Sequence, residues 1–556
     1  MGINIGLVLS EHIPEQKWHS VYDESLALAQ KLGLADLTLQ IIHGHAVQCL
    51  TITQESEEYG RIGWRAVADY VDRDGAEWFY TYRDLHRRNG DGQNGYREYH
   101  DDQHLGDKSG DQQHGDPYNH DILYEYAYYV VDLPGMEEPK GTFREMWGAK
   151  TQGKSYHMSL LAIGCLIQDR LGDDAMVRGD YTAGQCRVAV EMANRFLDNP
   201  IRVPCRCEPD RWLKRIERTN AREEHKIRIA IGMYHGRLDA DFGERMREAY
   251  SHEALCEYWK SKFGYYSMSQ FGFSNSLHEY LTMGFSVSDL FDLVSFTDKE
   301  GNDQHEKFIK HILDAKLHWK EVDTTDIMVQ DPDDPTLYGI EAMMVRGLSM
   351  GARNKKIDRY IPIDELRGIL KRKMSGYGDV DVIIDQYLAR EKELENADTT
   401  EERLERDCSA EINRIMNARK DAFDELQNEY PVYREEMLVD YEPGDGITPA
   451  IEMLLAKIMK FAATIPLSDL KTVDQKEEWL AENYDHIPPF KDTDWEHIFS
   501  AIEDDPDSFR RYYPFFRIDL SQRIVQQAVV ALILNDDLYE HALTLSYDEL
   551  VESEES

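Results

Sequence analysis

The spacing of apolar residues changes along this chain, and that change constrains the fold more than any other feature. Residues 3 to 9 form a short apolar run, and a segment of helical spacing follows from Pro14 to Leu32. The segments LTLQII, VQCLTIT and EWFYTYRDL, between Leu37 and Leu85, are rich in β-branched and aromatic residues and are separated by glycines. Such runs are typical of strands joined by turns. We therefore predict a mixed N-terminal unit with an antiparallel sheet.

From about residue 155 onward, the apolar residues recur at helical spacing. Ser155 is placed to cap one helix, and Thr182 with Gln185 has the spacing of a capping box at the start of the next. The apolar run from Ile524 to Leu534 predicts a helix central to the C-terminal core. The predicted fold class is α+β and predominantly α-helical: a mixed antiparallel-sheet N-terminal unit is followed by irregular helical units.

A length of 556 residues predicts three or four structural units. One long polar segment, from His86 to Asp121, holds six Gly, seven Asp and five His and almost no aliphatic residue, so it predicts an insertion that cannot pack a core. Composition predicts four parts: a mixed α/β unit at 1–150, a helical domain at 151–335, a basic helical segment and charged linker at 336–400, and an acidic helical domain at 401–556.

The net charge is −42, from 63 Lys and Arg against 105 Asp and Glu. From residue 376 onward there are 44 acidic and 17 basic side chains, so about a third of the chain holds most of the excess. This balance opposes binding to nucleic acid or to an anionic membrane surface. It favours a basic protein as the partner, and no apolar window approaches the roughly 18 residues that a membrane-spanning helix needs.

Seven cysteines make an odd and sparse set for a chain of this length, which favours reduced thiols. The first ten residues have neither the basic start nor the cleavage pattern of a signal peptide. We therefore expect a cytoplasmic protein. Cys205 and Cys207 lack a second pair at zinc spacing, and the sequence predicts no metal site.

One segment has the form of a phosphate-binding loop. Gly148, Gly153, Lys154 and Ser155 satisfy the pattern G-x-x-x-x-G-K-[ST], in which backbone N–H groups and a lysine hold phosphates and a hydroxyl binds magnesium. The preceding residues, GTFREMW, do not resemble the apolar parallel strand that such a loop follows. We keep ATP or GTP with magnesium as the alternative ligand and otherwise predict no cofactor.

Two further patterns are candidates for binding. His311, Asp314 and His318 have the spacing of ligands on one side of a helix, but the apolar residues of that segment centre on the opposite side. We therefore expect this trio to face solvent. Tyrosines alternate in the run ILYEYAYYVVDL, which would place Tyr124, Tyr126 and Tyr128 on one face of a strand, for core packing or for binding.

No catalytic pattern has its structural context, so whether the protein is an enzyme stays open. The leading hypothesis is a binding or regulatory protein that docks a basic protein partner through an acidic helical surface. The alternative is a P-loop-like nucleotide-binding enzyme that uses the GAKTQGKS segment.

Overall fold

A computed structural model describes most of the chain. The described residues are 3–58, 60–71, 73, 75–85, 121–139, 143–151, 154, 156–319, 359–377, 379–396, 438–484, 487–518, 523–547 and 550. The predicted polar insertion, apart from Asp121, lies outside these residues, as do the predicted linker beyond residue 396 and the cap residue Ser155.

The strands lie in the N-terminal third of the chain. Four of them coincide with predicted apolar runs, but the sequence does not predict Phe143–Lys150 or Ala175–Gly179, and the second of these lies in the segment predicted to be helical. They are β1 (Asn4–Ser10), β2 (Leu34–Ile42), β3 (His45–Ile52), β4 (Glu55–Glu58), β5 (Arg61–Asp69), β6 (Gly75–Tyr82), β7 (Phe143–Lys150) and β8 (Ala175–Gly179).

Helices account for most of the remaining described residues. They are α1 (Glu15–Lys31), α2 (Leu123–Val130), α3 (Tyr156–Leu171), α4 (Ala183–Asn194), α5 (Pro209–Glu217), α6 (Glu223–Gly232), α7 (Ala240–Ala249), α8 (His252–Tyr265), α9 (Phe271–Thr282), α10 (Leu290–Leu293), α11 (His305–Asp314), α12 (Ile363–Lys373), α13 (Val380–Asn396), α14 (Pro449–Ala462), α15 (Val473–Glu482), α16 (Asp492–Asp504), α17 (Phe509–Tyr512), α18 (Arg523–Leu534) and α19 (Asp536–Thr544). The predicted fold class is confirmed: the chain is α+β and mainly helical, with antiparallel sheets near its N-terminus.

The described residues divide into two compact units, each assembled from separated stretches of sequence. Unit 1 comprises those among 1–21, 88–148 and 161–418, and unit 2 comprises those among 22–87, 149–160 and 419–556. The four-part division by composition is not tested by this clustering and stays a prediction. Across the described part of the chain, no helix combines the length and apolarity needed to cross a membrane.

Unit 1 is a helical body beside a three-stranded sheet. The strand order is β7-β1-β8, and β1 pairs with β8 in antiparallel fashion. The predicted capping box at α4 is confirmed, because Thr182 Oγ1 accepts from Gln185 N at 3.1 Å and Gln185 Oε1 accepts from Thr182 N at 2.9 Å. At the centre of the helical core, the Trp259 ring lies 5.1 Å from that of Tyr280 and 5.6 Å from that of Phe285.

Unit 2 packs an antiparallel sheet on C-terminal helices. The order is β3-β2-β5-β4, with β6 on β5. Two contacts fix the β2–β3 hairpin on the helical side: Trp495 Nε1 donates to the carbonyl of Gln48 at 3.2 Å, and Leu50 N donates to the carbonyl of Phe490 at 2.8 Å. Residues 528–533 of α18 are fully or almost fully buried, so the prediction of a central C-terminal helix is confirmed.

The tyrosine run is helical, and the prediction of a strand there is wrong. Residues Leu123–Val130 form α2, so Tyr124, Tyr126 and Tyr128 do not share one face. Leu123, Tyr126 and Ala127 are the buried residues, and their i, i+3, i+4 spacing is that of a helix. The alternating tyrosines suggested a strand, although Leu123, Tyr126 and Ala127 have the spacing of a buried helix face.

Candidate functional site

Two histidines lie at the turn that joins β2 and β3. His43 and Gly44 form a two-residue turn, closed by the pairing of Ile42 with His45. Both turn residues have positive φ, 49° at His43 and 88° at Gly44, as a type I′ hairpin requires. Few side chains adopt this backbone conformation without strain. Because His43 lies in the turn and His45 is the first residue of β3, both imidazoles lie at the same end of the hairpin.

Helix α16 supports both imidazoles and brings carboxylates to them. The ring centroid of Phe499 lies 5.8 Å from that of His43 and 5.7 Å from that of His45. Phe499 is fully buried, so it gives the two rings a fixed apolar support. Glu496 and Glu503, at i and i+7 on the same helix, lie on one face of it. Helix and hairpin thus converge on the histidines.

Glu477, on α15, lies between the two histidines. Its Oε1 is 3.7 Å from Nδ1 of His43, and its Oε2 is 3.2 Å from Nε2 of His45. Only 4% of its side chain is exposed. Burial raises the pKa of Glu477 and the charge of Glu503 adds to the rise, while His43 and His45 act in the opposite direction. Glu477 is therefore a desolvated carboxylate held between two imidazoles.

Exposed carboxylates complete the group. Glu503 Oε1 is 3.2 Å from Nδ1 of His43, and Glu496 Oε2 is 3.1 Å from its Nε2. Asp474 Oδ1 is 3.7 Å from Nε2 of His45. We refer to the six residues as the histidine–carboxylate cluster: His43, His45, Asp474, Glu477, Glu496 and Glu503.

Two buried atoms of this cluster make no hydrogen bond within the described part of the chain. They are Nδ1 of His43 and Oε1 of Glu477. One ligand atom each from His43, Glu477 and Glu503 lies within 4.8 Å of the other two. Imidazole nitrogen and carboxylate oxygen are donors that zinc and related cations accept. The arrangement can therefore hold either a network of ion pairs or a metal ion.

The outer surface of α15, α16 and the turn after them is strongly acidic. The exposed carboxylates, which we call the acidic face, are Asp474, Glu478, Glu482, Glu496, Glu503, Asp504, Asp505 and Asp507. The two lysines in this stretch are engaged elsewhere. Lys476 is buried and its Nζ donates to the carbonyl of Pro506 at 2.6 Å, and Lys491 Nζ lies 4.2 Å from the Tyr70 ring centroid. Arg510, which follows this stretch, pairs with Asp507, with 3.6 Å between Nε and Oδ1. Lysine and arginine therefore compensate little of the negative charge of the other carboxylates.

The residues of the predicted phosphate loop are placed only in part. Gly148 lies within β7 and Lys154 lies between β7 and α3, while Gly153 and Ser155 are outside the described residues. A strand and a helix thus flank the motif. In a phosphate-binding loop, however, the glycines lie after a strand of a parallel sheet.

Gly148 has a structural role in this strand. A Cβ at this position would lie 1.5 Å from Glu145 Oε1 and 2.4 Å from Arg178 Nη2, and these two side chains form an ion pair. The space that glycine leaves is therefore filled by that pair. Nucleotide binding by Gly148, Gly153, Lys154 and Ser155 stays a prediction.

The expectation that His311, Asp314 and His318 face solvent is wrong. The α-helix ends at Asp314, so His318 does not continue its face. Asp314 Oδ1 accepts from the Tyr387 hydroxyl at 2.7 Å, and His318 Nε2 is 3.3 Å from Glu391 Oε2. Helix α13 supplies both partners because it packs against this side of α11. The sequence of α11 alone could not show that neighbour.

Cys207 belongs to a buried group of thiols rather than to a pair with Cys205. A hydrogen bond with Cys186, together with burial, raises the pKa of Cys207, and burial raises that of Cys186. Zinc ligands require thiolates, and this environment favours the protonated thiol. The thiols therefore behave as small core side chains.

Comparison with known proteins adds no functional assignment. No known protein family matches the chain, and neither a curated protein nor a solved structure does. Sequence reasoning missed the histidine–carboxylate cluster. The tripeptide His43-Gly44-His45 between two apolar runs was a visible sign of a turn with two imidazoles, but its carboxylate partners are more than 400 positions away.

Proposed function

We propose that this protein is a non-catalytic binding or regulatory protein of the cytoplasm that docks a basic protein partner through the acidic face. The observation that supports the proposal is the exposure of eight carboxylates between Asp474 and Asp507, with both lysines of that stretch directed to other contacts. A surface of one sign attracts a partner of the opposite sign and orients it during encounter.

The rest of the charge distribution is consistent with this choice of partner. With a net charge of −42, the chain as a whole repels nucleic acid and anionic lipid surfaces. Exposed charges are screened over about 8 Å at physiological ionic strength. Docking through the acidic face must therefore weaken as salt is added.

The test uses decalysine as a basic probe and the full chain as the receptor. Affinity is measured by titration calorimetry at low and at high salt, for the wild type and for a variant in which Glu478, Glu482, Asp504 and Asp505 become the corresponding amides. All four are exposed, so the fold should tolerate the change. We expect the variant to bind about tenfold more weakly at low salt.

A matched control removes the same charge from unit 1. It carries glutamine at four exposed positions of α7 and α8: Glu244, Glu248, Glu253 and Glu257. We expect this control to lose less than about threefold in affinity, because its charges lie outside the acidic face. Equal losses in the two variants, or an affinity that does not respond to salt, would contradict the proposal.

A further inference from the structure

We propose that the histidine–carboxylate cluster binds one divalent cation of the zinc class, with Nδ1 of His43, Oε1 of Glu477 and Oε1 of Glu503 as its ligands. The inference does not depend on the docking function. It rests on the distances among these three atoms, on the burial of Glu477 and on the two atoms there without hydrogen bonds.

The distances suit a metal better than a hydrogen-bonded network. Tetrahedral zinc, with bonds of about 2.0–2.1 Å to nitrogen and oxygen, holds its ligand atoms about 3.3 Å apart. His43 Nδ1 is 3.2 Å from Glu503 Oε1 and 3.7 Å from Glu477 Oε1. The second distance is too long for a hydrogen bond. Small side-chain movements would therefore bring the three atoms around one ion.

The charges of the three proposed ligands also favour a bound cation. A carboxylate as buried as Glu477 needs a compensating positive charge or a proton. Two carboxylates and a neutral imidazole balance a divalent cation. The ion would also bond to Oε1 of Glu477 and Nδ1 of His43, neither of which makes a hydrogen bond within the described residues. A fourth position would be open to water because the side chain of Glu503 is 55% exposed.

Neighbouring residues hold these ligands in place. Glu496 Oε2 is positioned to accept the proton of His43 Nε2, which leaves the Nδ1 lone pair for the metal. His45 contacts the second oxygen of Glu477 and so directs Oε1 towards His43. The Phe499 ring packs against both imidazole rings and so restricts their orientation. Glu496 and His45 are therefore positioning residues, and they are not ligands.

The donor set selects the class of cation. Calcium takes six to eight oxygen ligands, and magnesium keeps an octahedral shell with several waters. An imidazole with two carboxylates matches zinc or a related first-row ion. We therefore expect Zn²⁺ to bind more tightly than Mg²⁺ or Ca²⁺.

The experiment titrates Zn²⁺ into the metal-free full chain by calorimetry and compares Glu503→Gln with Asp504→Asn. Both variants remove one exposed charge from neighbouring positions of α16, but only Glu503 is a proposed ligand. We expect Glu503→Gln to weaken the site at least about tenfold, and Asp504→Asn to stay within about threefold of the wild type. Mg²⁺ and Ca²⁺ serve as competing ions.

A second variant tests whether zinc binding is lost because a ligand is missing and not because the fold has changed. His43→Asn removes the imidazole, while asparagine tolerates the positive φ of the turn. It should abolish the same binding event and leave the circular dichroism spectrum unchanged. The histidines of the 86–121 segment are unaltered in every variant, so any zinc they bind persists and is subtracted.

Three results would overturn the proposal. Identical Zn²⁺ titrations of the wild type, Glu503→Gln and His43→Asn would assign all binding to other histidines. Absence of zinc binding to the wild type would show that the cluster is only a set of ion pairs. A site that binds Mg²⁺ or Ca²⁺ as tightly as Zn²⁺, and is weakened equally by Glu503→Gln, would contradict the assignment to a cation of the zinc class.

Discussion

Acid should destabilise unit 2 through one buried histidine, His157. Its side chain is fully buried near the start of α3, and its Nδ1 lies 2.7 Å from the Thr151 hydroxyl oxygen. Burial lowers the pKa of His157 to about 4 from an ordinary value of 6.5. The folded protein therefore keeps this ring neutral over a range in which the unfolded chain protonates it.

The sign and size of the effect follow from this difference in pKa. Above pH 6.5 neither state binds the proton, and below pH 4 both do. Between these values only the unfolded state gains it, so stability falls as the pH falls, by about 1.4 kcal/mol per pH unit. The total loss attributable to His157 is about 3 kcal/mol, of which about 2 kcal/mol appears by pH 5.

The assay is urea denaturation of the wild type and of His157→Gln between pH 7.5 and pH 4.5. Glutamine does not titrate, so the difference in unfolding free energy between the two proteins should change by about 2 kcal/mol between pH 7 and pH 5. Nuclear magnetic resonance should place the midpoint of the His157 ring near pH 4. Parallel pH profiles, or a midpoint near 6.5, would show that His157 does not cause the loss of stability in acid.

Further predictions concern Gly148 in strand β7, nucleotide binding by Lys154, the turn at His43 and the contact between α11 and α13. Gly148→Ala should cost about 1–3 kcal/mol in an unfolding experiment, because the new methyl group displaces the ion pair beside it; an unchanged stability would contradict this. Calorimetry with MgATP tests the nucleotide alternative, which requires binding that Lys154→Ala removes; no binding by the wild type eliminates it. His43→Val should cost about 1–2 kcal/mol more than His43→Asn, since valine disfavours a φ of 49°. Tyr387→Phe should cost about 1 kcal/mol through loss of its hydrogen bond to Asp314, measured by urea denaturation.

Local patterns predicted local structure well. The segment from Pro14 to Leu32 has helical spacing, and the observed helix α1 begins and ends within one residue of those bounds. The capping box at Thr182 could be predicted because its two partners are three positions apart. Such features depend on neighbours in sequence, which the sequence displays.

Features that depend on distant segments could not be predicted. The surroundings of Asp314 and His318 are set by α13, and Glu477 meets His43 only after the hairpin has packed on α15. The strand prediction for the tyrosine run failed because alternation and helical spacing coexist in eight residues. For the acidic face, the sequence predicted only the average charge of the C-terminal third. It does not show which side chains are exposed or that Lys476 is buried.

Carbodiimide cross-linking of decalysine to the full chain tests the docking surface most directly, because this reagent joins only lysines and carboxylates that are in contact. Mass spectrometry then locates the modified residues. We expect the cross-links to concentrate between Asp474 and Asp507 and to disappear at high salt. Cross-links spread over the exposed carboxylates of both units in proportion to their number would contradict it.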